Sequence, residues 1–116
     1  MRLTMLKSKL HRATVTEADL NYEGSISIDP NLCEAAHFNE YERVEIYDCN
    51  NGARFATYVI YGKPGQICLN GAAARHVHVG DIVIIACYAE VEDSEGPKHK
   101  PRQVLVDANN KIKKIT

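Results

Sequence analysis

The sequence predicts a mainly β protein with short helices, formed as a single domain over residues 1–116. Three observations support this prediction. Many short apolar segments are rich in β-branched residues, little of the chain has helical periodicity, and turn residues separate the segments without any internal repeat. A chain of 116 residues has the size of one domain. This pattern favours a small β-barrel or a β-sandwich.

The N-terminal third contains the first strands and the one α-helix. The stretch "RLTMLKSKLHRATVTEA" alternates loosely between apolar and polar residues, and "TVT" is β-branched, so it predicts one or two strands. A short strand follows in "SISID". Asp29 is a favourable N-cap and Pro30 suits the first helical position, so a helix through "NLCEAAH" is predicted.

A β-hairpin is predicted next. "YERVEIYD" is a strand with Val44 and Ile46 on one face. Asn51 and Gly52 both accept a positive φ, which favours a tight turn, and "ARFATYVIYG" returns as the partner strand.

The C-terminal half contains further strands. "QICLNGAAARHVHVGD" predicts a strand, a glycine turn and a brief helical turn on the three alanines. Five consecutive apolar residues follow Asp81 in "DIVIIACYAEV", which is typical of a central strand that is buried on both faces. "EDSEGPKHKP" is interpreted as a surface loop. "RQVLVD" and "KIKKIT" flank the turn "ANN" and are expected to pair.

The composition is that of an ordinary globular protein, with 45% hydrophobic residues, 25% charged residues and a net charge of −1. Such a balance gives no reason to expect a nucleic acid or an acidic membrane surface as a partner. The one basic bias, from Lys98 to Lys114, is interpreted as a solvated face or tail. No segment has the length of a membrane span and the N-terminus lacks the apolar core of a signal peptide, so a cytoplasmic location is expected.

The cysteines and histidines indicate no metal site. The four cysteines, at 33, 49, 68 and 87, are widely spaced without a Cys-x-x-Cys motif, so they are expected to be buried thiols. His76 and His78 would share one face of a strand, but two ligands make only half of a zinc site. They are therefore interpreted as surface or core histidines.

Two short motifs each allow two interpretations. Gly24-Ser25, in "YEGSISIDP", is either a plain turn or a self-cleavage site at which the serine hydroxyl attacks the carbonyl of the preceding residue. The run "NGAAA" at 70–74 is either a tight turn of closely packed small residues or a short helical N-terminus that presents backbone N–H groups to an anion.

Taken together and in order, three segments resemble the pyruvoyl-dependent aspartate 1-decarboxylase family. They are "TMLKSKLHRATVTEADLNYEGSISID", "NGARFATYVIYG" and "LNGAAARHVHVGDIVIIA". The resemblance covers nearly all of the chain from Met1 to Ala89, and the tail beyond Ala89 gives no match. It implies a small double-psi β-barrel, assembly as a homotetramer and synthesis as an inactive precursor.

The resemblance also implies that the precursor cleaves itself. Ser25 Oγ would attack the Gly24 carbonyl, the peptide bond would rearrange to an ester, and elimination and hydrolysis would follow. Residues 1–24 would become a small chain, and residues 25–116 a larger chain with a pyruvoyl group in place of Ser25. That carbonyl would form a Schiff base with the substrate amine and act as the electron sink, with neither PLP nor a metal.

The implied roles of the other residues follow from the same resemblance. Thr57 would help to activate the Gly24 carbonyl, and Tyr58 would deliver a proton to the former α-carbon. Lys9 and Arg54 would hold the retained carboxylate of the substrate. Gly24 is expected to remove a Cβ that would block a strained conformation. The turn Gly71, Ala72 and Ala73 would contact the substrate, with His11, Tyr22 and Asn70 as neighbours of the pocket.

The function implied is the conversion of L-aspartate to β-alanine and CO₂ for pantothenate synthesis. One alternative is an uncleaved barrel that binds a small anionic metabolite through Arg54 and the 70–74 turn. Another is a purely structural subunit of an oligomer. Ser25 discriminates between them, because only the enzyme requires the peptide bond before it to break.

Overall fold

The computed structural model describes all residues 1–116, which form nine strands, one α-helix and two 3₁₀ helices. The strands are β1 (Arg2–Thr14), β2 (Glu17–Asp19), β3 (Ser25–Ile28), β4 (Arg43–Asp48), β5 (Arg54–Tyr61), β6 (Ile67–Asn70), β7 (Ile82–Glu92), β8 (Arg102–Val106) and β9 (Ile112–Ile115). The helix α1 spans Pro30–Ala36, and the 3₁₀ helices span Gly71–His76 and Asp93–Lys98.

The strands form one mixed sheet in the order β2-β6-β3-β5-β4-β7-β1-β8-β9. The segment after β1 closes this sheet around the core. Val15 N donates a hydrogen bond of 2.9 Å to Asp81 O beside β7, and Thr16 N donates one of 2.8 Å to Ile67 O in β6. The predicted mainly β class is therefore confirmed, and the closed arrangement agrees with a small double-psi β-barrel.

The core consists of 21 buried residues that come from nearly every strand and from α1. The β3–β6 pair shows how the sequence places side chains in the core. Ile26, Ile28, Ile67 and Leu69 are completely buried in this core, because alternate residues of a strand face the same side. The alternate residues Ser25, Ser27, Cys68 and Asn70 face the other side.

The helix α1 begins as predicted. The Asp29 carboxylate caps it by accepting a hydrogen bond of 2.8 Å from Asn31 N, and Pro30 occupies the first helical position. The helix ends at Ala36, one residue earlier than predicted, because His37 adopts a left-handed conformation with φ 57°.

The predicted hairpin forms between β4 and β5, and Val44 and Ile46 are both buried. The turn at Asn51 and Gly52 lies within a connection that spans residues 49–53, and of these two residues only Gly52 has a positive φ, 78°. The Asp48 carboxylate supports this connection by accepting hydrogen bonds from the backbone N–H groups of Asn50 and Asn51.

Further predictions are confirmed or corrected in the C-terminal half. β7 lies in the middle of the sheet, and β8 pairs with β9 as expected. Burial of β7 on both faces is wrong, because Ile82 and Ile84 are only half-buried and Tyr88 is exposed. The stretch 92–101 is more than a loop, since Asp93–Lys98 form a 3₁₀ helix whose Gly96 is buried against Leu3. Lysines from Lys98 to Lys114 are exposed, which confirms a solvated face.

Three of the four cysteines, Cys33, Cys68 and Cys87, are buried as expected, but Cys49 is exposed. Cys49 follows β4 at the point where the chain turns outward into the 49–53 connection, so its side chain has no core to enter. In this structure, the helices are all too short to span the apolar interior of a bilayer.

Candidate active site

Ser25 is the first residue of β3 and its side chain is enclosed. Only 1% of the residue is exposed. It lies directly opposite Asn70 of β6 in the antiparallel pairing. Ser25 Oγ accepts a hydrogen bond of 3.0 Å from Asn70 Nδ2 and donates one of 3.2 Å to Glu23 O. The hydroxyl at the Gly24–Ser25 junction is therefore fixed on both sides, and Asn70 is in direct contact with it.

The backbone before Ser25 packs tightly against Gly71. Gly71 has φ 63°, and a Cβ there would lie 2.8 Å from both Gly24 Cα and Gly24 N and 2.9 Å from Tyr22 O. Any larger residue would push the junction away. Of the two interpretations of the 70–74 run, the geometry favours closely packed small residues.

Gly24 itself is not sterically required in this conformation. A Cβ at Gly24 would meet no atom within 4 Å, and its φ lies outside the positive region. The expectation that Gly24 removes an obstructing Cβ is therefore wrong for the uncleaved fold. The glycine that the packing requires is Gly71, across the junction.

A cavity of about 180 Å³ opens beside the junction. Its lining includes four residues that were predicted from the sequence: Gly24, Thr57, Ala72 and Ala73. The structure thus brings together Gly24 of the junction, Thr57 and the small-residue turn.

Phe55 and His76 form a wall of this cavity that sequence reasoning missed. Their rings stack with centroids 4.7 Å apart. The prediction that His76 and His78 share one face of a strand is wrong, because His76 ends a 3₁₀ helix and His78 lies beyond it. The position of His76 at the end of the "GAAARH" turn is the available signal, since it places His76 on the same 3₁₀ helix as Ala72 and Ala73. No three His, Cys, Asp or Glu side chains are grouped so that they could hold a metal ion.

Tyr58 lies close to the junction along the sheet but in a different cavity. β3 and β5 are parallel and Ile26 pairs with Val59, so Ser25 and Tyr58 immediately precede this pair. The side chain of Tyr58 is exposed on the outer face of β5 and borders a cavity of about 280 Å³ with Arg43, Ala56 and Thr57. Ala56 and Thr57 border both cavities.

The two predicted substrate-binding cations lie on the same outer face, without carboxylate partners. Arg54 places its guanidinium 3.9 Å from the centre of the Tyr47 ring, and neither Arg54 nor Lys9 forms a salt bridge. Lys9 shares a cross-strand row with Ala56 through Ala86 and Glu45. Three strand spacings, about 14 Å, separate β1 from β5 along this row.

The two remaining neighbours are also outside the cavity. Tyr22 contributes its backbone carbonyl to the contact with Gly71, and its side chain is exposed. His11 lies on β1 near Lys9, with its Nδ1 buried and unpartnered. Burial, together with the charges of Lys9 and Arg12, lowers the pKa of His11. The imidazole is therefore biased towards its neutral form.

The arrangement is suited to attack by a serine hydroxyl on its own peptide bond. The nucleophile is buried, its oxygen has an N–H donor, and the adjacent carbonyl residue borders a small cavity. Fold and site together define a class of small, closed, mainly β proteins with a buried glycine–serine junction.

The sequence model of the family described as aspartate decarboxylase matches residues 1–113, and the chain belongs to this family. The match continues well beyond Ala89, where the resemblance noted from the sequence ended. A relative named aspartate 1-decarboxylase from Syntrophus aciditrophicus is 63% identical over 115 residues, covering 97% of this chain and 99% of the relative. Another of the same name, from Bdellovibrio bacteriovorus, is 60% identical over 97% of this chain and 90% of its own length.

Proposed function

We propose that this protein converts L-aspartate to β-alanine and CO₂, and that it does so with a pyruvoyl group made from its own Ser25. The relatives that match nearly the whole chain are named for aspartate decarboxylation. The observation that supports self-cleavage is the Ser25 hydroxyl, which is buried and fixed at the junction by Asn70.

The cleavage begins with an N→O acyl shift. Ser25 Oγ adds to the carbonyl carbon of Gly24, the C–N bond breaks, and the amide nitrogen takes up the hydroxyl proton, which leaves an ester. Loss of the Ser25 α-proton then breaks the Cβ–O bond and releases Gly24 as a carboxylate. Water replaces the resulting enamine nitrogen, which leaves as ammonia, and residues 1–24 and 25–116 become separate chains.

The residues around the junction support the first of these steps. An N–H donor on Ser25 Oγ stabilises negative charge as the proton leaves. The Gly71 contact holds residues 22–24 against the turn, so the carbonyl cannot relax away from the hydroxyl. The Thr57 side chain lines the same cavity as Gly24, where it can donate to the developing oxyanion.

The same position suits the group that the cleavage would produce. Asn70 Nδ2, which now donates to Ser25 Oγ, would hold the new carbonyl at the start of β3, beside the cavity of about 180 Å³. That carbonyl supplies an electron sink for the pair of electrons left behind when CO₂ departs. No separate PLP or metal is required by this scheme.

The outer face of β5 provides the groups that a dicarboxylic substrate needs. Arg54 has no carboxylate partner in the chain, so its donors remain available for the retained carboxylate, with Lys9 as a second cation. Tyr58 is the proposed proton donor to the former α-carbon. Since Arg54 and Tyr58 lie on an exposed face, a neighbouring chain would have to enclose the substrate there.

We therefore place the active sites between the protomers of a homotetramer. The exposed face that carries Arg54 and Tyr58 also carries Tyr47 and Tyr88, whose hydroxyls are 2.8 Å apart. Light scattering at assay concentration should give about four times the mass of one chain. A fully active monomer would rule out a shared site. A cytoplasmic location and a role in pantothenate synthesis remain predictions.

Intact mass under denaturing conditions tests the self-cleavage. Aged wild-type protein should give two fragments that correspond to residues 1–24 and 25–116, and the larger should resist Edman degradation. Ser25→Ala should stay full length and inactive. Ser27→Ala is the matched control, because Ser27 also accepts a bond of 3.0 Å from Asn70 Nδ2 but carries no reacting atom. An intact wild-type chain that decarboxylates aspartate would refute the proposal.

A further inference from the structure

The Ser25 hydroxyl belongs to a small polar cluster sealed inside the β3–β6 pair. Ser25, Ser27, Cys68 and Asn70 share one face of this pair, opposite the face that fills the core. All four are at least 92% buried. Groups so enclosed must satisfy one another, because water cannot reach them. We define these four residues as the junction cluster.

Asn70 is the centre of the junction cluster. Its Nδ2 donates hydrogen bonds of 3.0 Å to Ser25 Oγ and 3.0 Å to Ser27 Oγ, which uses both amide hydrogens. Its Oδ1 accepts from Cys68 Sγ at 3.2 Å. The Cys68 thiol also approaches Leu69 O, but at 3.9 Å, so the Asn70 oxygen is its closer partner.

The thiol determines which way the amide faces. A serine hydroxyl can donate or accept, so Ser25 and Ser27 fit either orientation of the Asn70 amide. A thiol is a poor acceptor, and a flipped amide would leave buried N–H groups facing sulfur. Burial raises the pKa of Cys68, with Glu17 and Asp19 acting in the same direction, so the S–H proton is retained.

We propose that Cys68 is a positioning residue for self-cleavage, which holds the Asn70 amide with its N–H groups towards Ser25 Oγ. This inference rests on the proposed function. In this orientation Ser25 Oγ accepts from Asn70 while its own proton points to Glu23 O, and each bond in the chain polarises the next. The flipped amide would instead take the serine proton as an acceptor and withdraw the stabilising donor.

The test compares cleavage rates of newly synthesised chains, followed by denaturing mass spectrometry after a cell-free pulse. Cys68→Val keeps the size of the side chain but has no donor, and it should slow cleavage by about 3- to 10-fold. Cys68→Ser restores an O–H donor and should cleave within about twofold of wild type. Cys87→Val is the matched control, because Cys87 is equally buried in β7 and its thiol approaches Arg43 O outside the cluster.

A second measurement is independent of cleavage. In the uncleavable Ser25→Ala background, Cys68→Val should speed hydrogen exchange of the Asn70 side-chain amide, measured by NMR, while Cys87→Val should not. Cleavage of Cys68→Val at the wild-type rate, or of Cys68→Ser as slowly as Cys68→Val, would overturn the inference. A wild-type chain that never cleaves would instead refute the proposed function, and amide exchange would still decide the role of Cys68.

Discussion

The junction cavity and the exposed face of β5 carry two groups of residues that the sequence assigns to one site. At the junction cavity, Gly24, Thr57, Ala72 and Ala73 lie together next to the buried Ser25 hydroxyl. On the outer side, Arg54 and Tyr58 are exposed, and Lys9 lies further along the same face. Under the proposed function, one chain would contain the groups for peptide-bond cleavage, and a second chain would cover the exposed face that binds the substrate.

Tyr58→Phe should give the largest effect, because it should slow decarboxylation while cleavage at Ser25 is unchanged. Cleavage at Ser25 should proceed normally, because Tyr58 is outside the junction cluster. Loss of a positioned proton donor should lower kcat by about 10²–10⁴-fold with little change in KM. Steady-state kinetics of the fully processed variant provides the measurement, with Tyr61→Phe on the same strand as control. Wild-type β-alanine production by Tyr58→Phe would remove Tyr58 from the mechanism.

Arg54→Ala should also spare cleavage while it weakens substrate binding. Loss of a charge-assisted contact to a carboxylate costs about 2–5 kcal/mol, or roughly 30- to 4,000-fold in kcat/KM. The preference for aspartate over alanine should disappear, because Arg54 would bind the carboxylate that only aspartate carries. Arg2→Ala, which removes an exposed cation paired with Glu92 at 3.4 Å, is the control. An unchanged preference for aspartate over alanine would show that Arg54 does not bind the side-chain carboxylate of the substrate.

At the Gly24–Ser25 junction, Gly71→Ala should impair both folding and cleavage. The added Cβ would meet the Gly24 backbone at 2.8 Å, and φ 63° is unfavourable for alanine. Strain of this kind costs about 1–3 kcal/mol, and each kcal/mol lowers Tm by about 4–8 °C. Gly52 also has a positive φ, 78°, but a Cβ there would meet open space. Gly52→Ala therefore measures the cost of the backbone strain without the packing clash. Equal Tm and cleavage rates for the two variants would contradict the packing argument.

The smallest effect should come from Asp48→Asn. Asp48 is 3% exposed, and burial and the neighbouring Asp81 raise its pKa. A raised folded-state pKa means that stability is lost as pH rises from the ordinary Asp value of about 4 through the raised value.

Asparagine at position 48 keeps the same shape and does not titrate. Asp48→Asn should therefore be more stable than wild type at pH 7, by no more than about 1 kcal/mol, and the gain should vanish near pH 4. Urea unfolding at pH 7 and at pH 4 measures the difference in the free energy of unfolding between Asp48→Asn and wild type. A gain that grows towards low pH would show that folding lowers the pKa of Asp48 instead of raising it.

Local chemistry made much of the fold predictable. The Asp29–Pro30 helix start, the strand patterns around Val44 and Ile46, and the pairing of β8 with β9 follow from caps, alternation and turns over a few residues. The end of α1 and the exposure of Cys49 were not predictable in this way. The first depends on the left-handed backbone at His37 and the second on the path of the 49–53 connection, and the pattern of residue types specifies neither.

By itself, the sequence determined the chemistry that is available: a glycine–serine junction, a small-residue turn, and a strand that carries Arg54, Thr57 and Tyr58. The tertiary structure alone decided how these are distributed. The β3–β6 register buries Ser25 against Asn70, whose amide oxygen contacts Cys68, and strand alternation turns Thr57 inward and Arg54 and Tyr58 outward. The position that must be glycine for packing is Gly71 and not Gly24. Strand pairing brings Gly71 against the Gly24 backbone, and the order of residues along the chain does not show that contact.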